Sequence, residues 1–391
     1  MDTHAQLGSW QGTVATSSRP KATRRLLGAL TLSVIAAIPG GDARPCGAFF
    51  PTRAEQNLAI DAQRALMVIG EDRIDLHLQL AADSGNADFA WVVPVPRPLE
   101  IAAGGDSVFE ALESATRPTV TFTGGSNSGG GFCGSAADGK GALNGDGRGV
   151  THFGGGTVGA YAYDIVGGDD GVALESWLGE KGYRLPDSFD EAVAPYLSSG
   201  VFVAVRLTQA TGQIDLPPFV ISYARPFGAS LGYAFAIGRL STPDTAPFVL
   251  WVLADKRYRI ANYGSVEVSR VASTMRDRGL DYAGAVAELT DEAGGRLAIV
   301  EFAGDISTNA ALVAALGDAV GESTHYLTRL YGDIPTDAME DFVLTFAVDA
   351  PDVDNEVEVS RGPGSAAIAM AFGLVGLGLI RRRALGPYDK R

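Results

Sequence analysis

Residues 65–80 read Ala65-Leu66-Met67-Val68-Ile69-Gly70-Glu71-Asp72-Arg73-Ile74-Asp75-Leu76-His77-Leu78-Gln79-Leu80. The first five form a continuous apolar run of the length and kind that a buried strand uses. From Ile74 onward apolar and polar residues alternate strictly, the period-two pattern of a strand with one face in a core. Gly70-Glu71-Asp72 supplies a turn between the two. The stretch therefore predicts paired strands, and it puts His77 on the polar face, toward solvent.

Further strand signals surround it. Phe89-Ala90-Trp91-Val92-Val93-Pro94-Val95-Pro96 is apolar, and its prolines confine its end to a sheet edge or exit. Strands are also expected at 160–166, 201–205, 219–223, 233–237, 248–253, 297–302, 326–331 and 342–348. Helices are expected at 106–114 with Asp106 as cap, at 171–181 ahead of Gly182, at 189–197, over most of 270–291, and at 308–316. Trp91, Trp177 and Trp251 all fall in apolar patterns and read as core residues. The fold class is α+β, a strand-rich mixed body of one integrated unit or two packed subdomains. A signal helix is expected before it and a transmembrane helix after it.

Both ends carry export signals. Arg19, Lys21, Arg24 and Arg25 precede an apolar run from Leu26 to Ile38, and Gly41-Asp42-Ala43 offers small residues for cleavage after Ala43. The run is about 13 residues, short of the roughly 20 that span a bilayer. Arg44-Pro45 before Cys46 argues against lipid attachment there, since small residues are needed at those positions. At the other end Gly362-Pro363-Gly364 leads into an apolar stretch, Ala366 to Ile380, closed by Arg381-Arg382-Arg383. A basic stop of this kind keeps a tail in the cytoplasm. This segment reads either as a stable anchor or as a sorting tag removed by a membrane protease.

The expected organisation is a signal peptide at 1–43, a β-rich part at 44–123, and a glycine-rich loop or linker at 124–156. An α+β part follows at 157–348, then an acidic stalk at 349–362, a transmembrane or sorting segment at 363–383, and a cytoplasmic tail at 384–391. The formal charge is −15; the first 43 residues carry a net +2 and the last 11 a net +4, so residues 44–380 hold about −21. So acidic a body repels phosphates, which excludes nucleic acid as a partner. The partners expected are the membrane, through the C-terminal helix, and an envelope protein or glycan that the sequence does not identify.

Chemistry is sparse. Cys46 and Cys133 are the only two cysteines. An even pair in an oxidising compartment favours a disulfide over a reactive thiol. Closing so long a loop would stabilise by roughly 4 kcal/mol. His77, His152 and His325 are the histidines of the mature chain, and no spacing links them to a nucleophile or to each other. Asp138 and Asn144-Gly145-Asp146-Gly147 do not complete a calcium loop. No HExxH is present, and the glycines do not follow a strand and open a helix as a nucleotide loop does. No metal, cofactor or catalytic residue is assigned.

Several phrases resemble a family of exported bacterial proteins, the domain of unknown function 2330. They are Pro45-Cys46-Gly47-Ala48-Phe49-Phe50, Asp61-Ala62-Gln63-Arg64-Ala65, the segment 89–96, and Gly159-Ala160-Tyr161. They continue with Ser176-Trp177-Leu178, Lys181-Gly182-Tyr183, Phe202-Val203-Ala204-Val205-Arg206-Leu207, Trp251-Val252-Leu253-Ala254-Asp255 and Tyr326-Leu327-Thr328-Arg329-Leu330-Tyr331. The resemblance implies export and a mixed fold, and no activity. Two readings stay open: a structural or binding module of the cell envelope, which is favoured, and an envelope hydrolase whose site is assembled from carboxylates distant in sequence.

Overall fold

A computed structural model describes residues 48–51, 63–79, 89–105, 107–123, 150–168, 170–198, 200–207, 218–228, 230–242 and 244–360. The signal region, Cys46, Cys133, most of the glycine-rich stretch and the C-terminal apolar segment lie outside these residues. Among the described residues no helix is long and apolar enough to cross a membrane.

The chain begins with β1 (Ala48–Pro51), β2 (Gln63–Ile69), β3 (Arg73–Gln79), β4 (Phe89–Val95), β5 (Leu99–Ala103), α1 (Val108–Thr116) and β6 (Thr119–Thr123). Next come β7 (Val150–Val158), β8 (Tyr161–Gly168), α2 (Gly171–Glu180), α3 (Phe189–Leu197), β9 (Val201–Leu207), β10 (Phe219–Ala224) and β11 (Ser230–Tyr233). The third stretch holds β12 (Thr245–Ala254), β13 (Tyr258–Ile260), β14 (Gly264–Glu267), α4 (Val268–Arg278) and α5 (Tyr282–Glu292). It ends with β15 (Leu297–Asp305), α6 (Ala310–Leu316), β16 (Tyr326–Pro335), β17 (Phe342–Phe346) and β18 (Glu356–Ser360).

These make a strand-rich α+β body. The largest sheet has eight strands in the order β14-β15-β16-β12-β2-β3-β10-β5. A five-stranded sheet runs β1-β4-β9-β8-β7, and two small sheets are β11-β17-β13 and β18-β6. The alternation in 65–80 explains the layering. Ala65, Met67, Ile69, Ile74, Leu76 and Leu78 share the main core, whereas Leu66 and Val68 belong to a second cluster with Phe109 and Leu112 of α1 and Leu312 of α6. Strand β2 is apolar on both faces because both are covered.

Ring contacts join the two large sheets. Phe219 of β10 meets Trp91 of β4 at 6.4 Å and Tyr161 of β8 at 5.5 Å. On the far side of the five-stranded sheet, Phe50 of β1 meets Phe189 of α3 at 5.4 Å. The layers are thus helices α1, α4, α5 and α6, the eight-stranded sheet, the five-stranded sheet, and helices α2 and α3. Trp91, Trp177 and Trp251 are all buried, as expected.

Four expectations need correction. The apolar run 233–237 is not one strand: β11 ends at Tyr233, and a 3-10 helix covers Ala236–Leu240. Burial on all sides erases the periodicity that separates strand from turn. The Asp341 carboxylate fixes this corner by accepting from the Ala236 N–H at 2.9 Å and the Tyr196 hydroxyl at 2.8 Å. The glycine-rich loop stops short of 156, because Val150–Val158 pairs with β8 as an antiparallel hairpin. Gly159 takes φ 55° in the two-residue turn, which glycine adopts without strain. Within the acidic run read as a stalk, Glu356–Ser360 pairs in parallel with β6. Finally, the cap position of α1 falls on Ser107, which makes no side-chain cap bond, while Asp106 lies outside the described residues. Among the described residues β4 pairs with β1 from Phe89 to Val92 and with β9 from Trp91 to Val95, where Pro94 faces Phe202.

Candidate functional site

The densest chemistry lies where α1 and α5 meet the helix-covered face of the eight-stranded sheet. Arg329 stands on β16 opposite Trp251 of β12. A β-bulge between Val300 and Phe302 breaks the register of β15. Val300 and Ala303 stay in the main core, while Glu301 and Phe302 both turn to the helix side. The Arg329 Nε donates to Glu301 Oε2 at 2.5 Å, and its Nη1 donates to Glu113 Oε2 of α1 at 2.7 Å. Its Nη2 reaches Glu113 Oε1 at 3.3 Å, which makes that pair bidentate.

The remaining valences are filled by neighbours. Tyr282 of α5 donates its hydroxyl to Glu301 Oε1 at 2.5 Å, and Arg117 donates to Glu113 Oε1 at 2.7 Å. The Trp251 indole N–H donates to Thr116 Oγ1 at 2.9 Å, and that hydroxyl donates to the Leu112 carbonyl at 2.6 Å. The guanidinium lies 4.9 Å over the Trp251 ring. Side-chain exposure is 5% for Arg329, 2% for Glu301 and 17% for Glu113.

The two carboxylates are pushed apart in acidity. Burial drives Glu301 above the usual carboxylate range, against the opposing pull of Arg329 and Tyr282. Burial acts the same way on Glu113, but the hydrogen bonds and charges of Arg329 and Arg117 outweigh it and hold Glu113 below that range. Tyr282 is raised by burial and by the charge of Glu301.

A pH dependence follows. A depressed carboxylate contributes stability above its unfolded pKa and loses it as pH falls through the folded value. Glu301, with its pKa raised, acts oppositely, favouring the fold at low pH and losing that contribution as pH rises. Comparing the urea midpoints of wild type and Glu113→Gln from pH 3 to 7, we expect the widest gap above about pH 4.5, closing toward pH 3. A gap that stays constant over that range would show that the Glu113 charge is not what the network holds.

This centre has the opposed acidities of a general acid/base pair. Yet both oxygens of both carboxylates are engaged by protein donors, and Glu301 is sealed from solvent. A catalytic carboxyl must reach substrate. What the arrangement does chemically is tie helices α1 and α5 to strands β12, β15 and β16.

The three histidines of the body have separate surroundings. His77 is less exposed than the alternation implied: burial lowers its pKa, with Asp75 opposing, and its Nδ1 is buried with no partner. His325 Nδ1 lies 2.9 Å from the Glu322 carbonyl. His152 Nε2 lies 3.0 Å from Asp164 Oδ1 on the β7–β8 hairpin, and Lys181 Nζ lies 3.9 Å from Asp164 Oδ2. Among the described residues no three His, Cys, Asp or Glu side chains form a metal-holding group.

Two glycine spacings match known fingerprints out of context. Gly228-Ala229-Ser230-Leu231-Gly232 has the spacing of a hydrolase nucleophile motif, contrary to the expectation that no GxSxG occurs. That motif needs a strand-to-helix turn, and Ser230 opens strand β11 against Thr345 of β17. Gly154, Gly156 and Gly159 have the spacing of a dinucleotide loop but lie in β7 and its turn into antiparallel β8, with no helix following.

The other notable feature is the free side of β7. This strand ends the five-stranded sheet, runs nine residues and is largely exposed. Phe153, 46% exposed, carries the Arg97 guanidinium 4.1 Å above its ring.

No curated protein and no solved structure matches the chain. A family model described as "uncharacterized protein conserved in bacteria" matches residues 41–345, spanning nearly every element above. The chain belongs to that family, DUF2330.

Proposed function

We propose that this chain is an exported binding module of the bacterial envelope, held at the membrane by its C-terminal apolar segment. The charge pattern of the two ends supports the address. The observation that carries the binding reading is the nine-residue strand β7, which ends its sheet, is largely exposed and has no strand beyond it among the described residues, so that its outer backbone donors and acceptors are available for pairing. The hydrolase reading draws on Glu113 and Glu301, whose acidities diverge, but their oxygens are already spent on Arg329, Arg117 and Tyr282.

Two measurements test this. Protease added outside intact spheroplasts is expected to digest the body while an epitope appended after Arg391 survives; a protected body sinks the address. Purified full-length chain is expected to turn over no generic ester, peptide or glycan substrate. Turnover that disappears in Glu113→Gln would instead establish the hydrolase.

A further inference from the structure

We infer that β7 is the docking edge of this module and takes an extended, carboxylate-bearing segment of a partner polypeptide as an added strand, which deepens the binding reading above. Exposed sheet edges are templates for pairing, and proteins keep them short, charged or interrupted by proline. The other strands at sheet edges, β1, β5, β6, β11, β13, β14 and β18, have three to five residues, whereas β7 has nine. Its sequence, Val150-Thr151-His152-Phe153-Gly154-Gly155-Gly156-Thr157-Val158, contains no Lys, Arg, Asp, Glu or Pro. The bulge between His152 and Gly154 leaves Gly154–Val158 in regular pairing with β8. Val158 and Tyr161 close a two-residue loop and exchange hydrogen bonds, so the next residue back, Thr157, turns its N–H and C=O to the open side.

The glycines fit close approach by a second backbone. A Cβ on Gly155 would sit 2.8 Å from the Tyr163 carbonyl, and one on Gly156 would sit 3.1 Å from the Tyr163 hydroxyl. Side chains are excluded there, and a bare strand is left for a partner to lie against.

Charge selects the partner. Arg97, exposed beside Phe153 of β7, has no carboxylate partner among the described residues. A second copy would bring a whole acidic body against this one, whereas a short segment can set a carboxylate on Arg97 with little added repulsion, so local complementarity favours an acidic segment of another chain.

The test uses full-length protein in detergent and two fluorescent nine-residue Thr/Val peptides, one carrying two Glu and the other two Lys. The acidic peptide is expected to bind at least tenfold tighter than the basic one. Arg97→Glu should reverse that order, and Thr157→Pro should weaken acidic binding at least tenfold with circular dichroism unchanged. Equal binding of both peptides overturns the inference. So does a concentration-dependent doubling of mass that Thr157→Pro abolishes, which would give the edge to a second copy. Slow amide exchange over 154–158 in the free chain would also overturn it, because the chain itself would then cover the strand. If Thr157→Pro unfolds, exposed Arg97→Glu decides. An extracytoplasmic body that ignores both peptides sinks the docking edge and leaves the address standing.

Discussion

Arg329→Met is expected to lower the unfolding free energy by about 3–5 kcal/mol, the range for removing one partner of a buried ion pair. Among the described residues the guanidinium is the only cation reaching Glu301, which is 2% exposed and otherwise bonded through its side chain to Tyr282. Without it Glu301 must either bury an unpaired charge or take up a proton. Adding Glu301→Gln should restore at least half the loss, since a neutral amide can still accept from Tyr282 and bears no charge to bury. Urea titration at pH 7 reads both effects. A double variant no more stable than Arg329→Met alone would mean that shape, not charge, sets the cost.

Trp251→Ala is the second large effect, expected at about 3–5 kcal/mol. The indole is fully buried at the centre of the eight-stranded sheet, 5.8 Å edge-on from Phe109, and it donates to Thr116. Truncation opens a cavity between β12 and α1 and removes the surface beneath Arg329. Trp251→Phe separates the contributions: it keeps most of the packing and loses the N–H, and about 1–2 kcal/mol is expected. The two variants are to be compared by thermal and urea unfolding. Equal losses would place the whole effect in the hydrogen bond.

Because Trp251 and Arg329 face each other across β12 and β16, their effects should not add. The same pairing shows how family likeness and structure connect. The phrases Trp251–Asp255 and Tyr326–Tyr331 carry part of the resemblance, and they meet at this centre.

Much of the fold was legible in the sequence. The period-two run Ile74–Leu78 placed its apolar residues in the core, and the helix over 189–197 is present residue for residue. The candidate centre was not legible. Glu113 sits on a short helix beside Leu112 with no motif around it, and it meets Arg329 across 216 residues of chain. The bulge in β15 left no mark in the sequence either: strict alternation from Val300 keeps Glu301 on the helix side but would have sent Phe302 into the sandwich, and the bulge turns Phe302 to the helices instead. The open edge of β7 was hidden in a glycine-rich stretch, where sparse side chains leave no periodicity to read.

By itself the sequence determined which residues could be strands and helices, and which faces would be apolar, since local patterning of that kind is written every two or every 3.6 residues. It also determined the charged, greasy ends and the acidic middle on which the proposed address rests. Only the tertiary structure decided that two carboxylates share one guanidinium against a tryptophan, and that one glycine-rich strand ends its sheet with no strand beyond it among the described residues. Those outcomes depend on strand order and on register. Both are set by the packing of distant segments against each other, a global balance of many contacts that no short window of sequence contains.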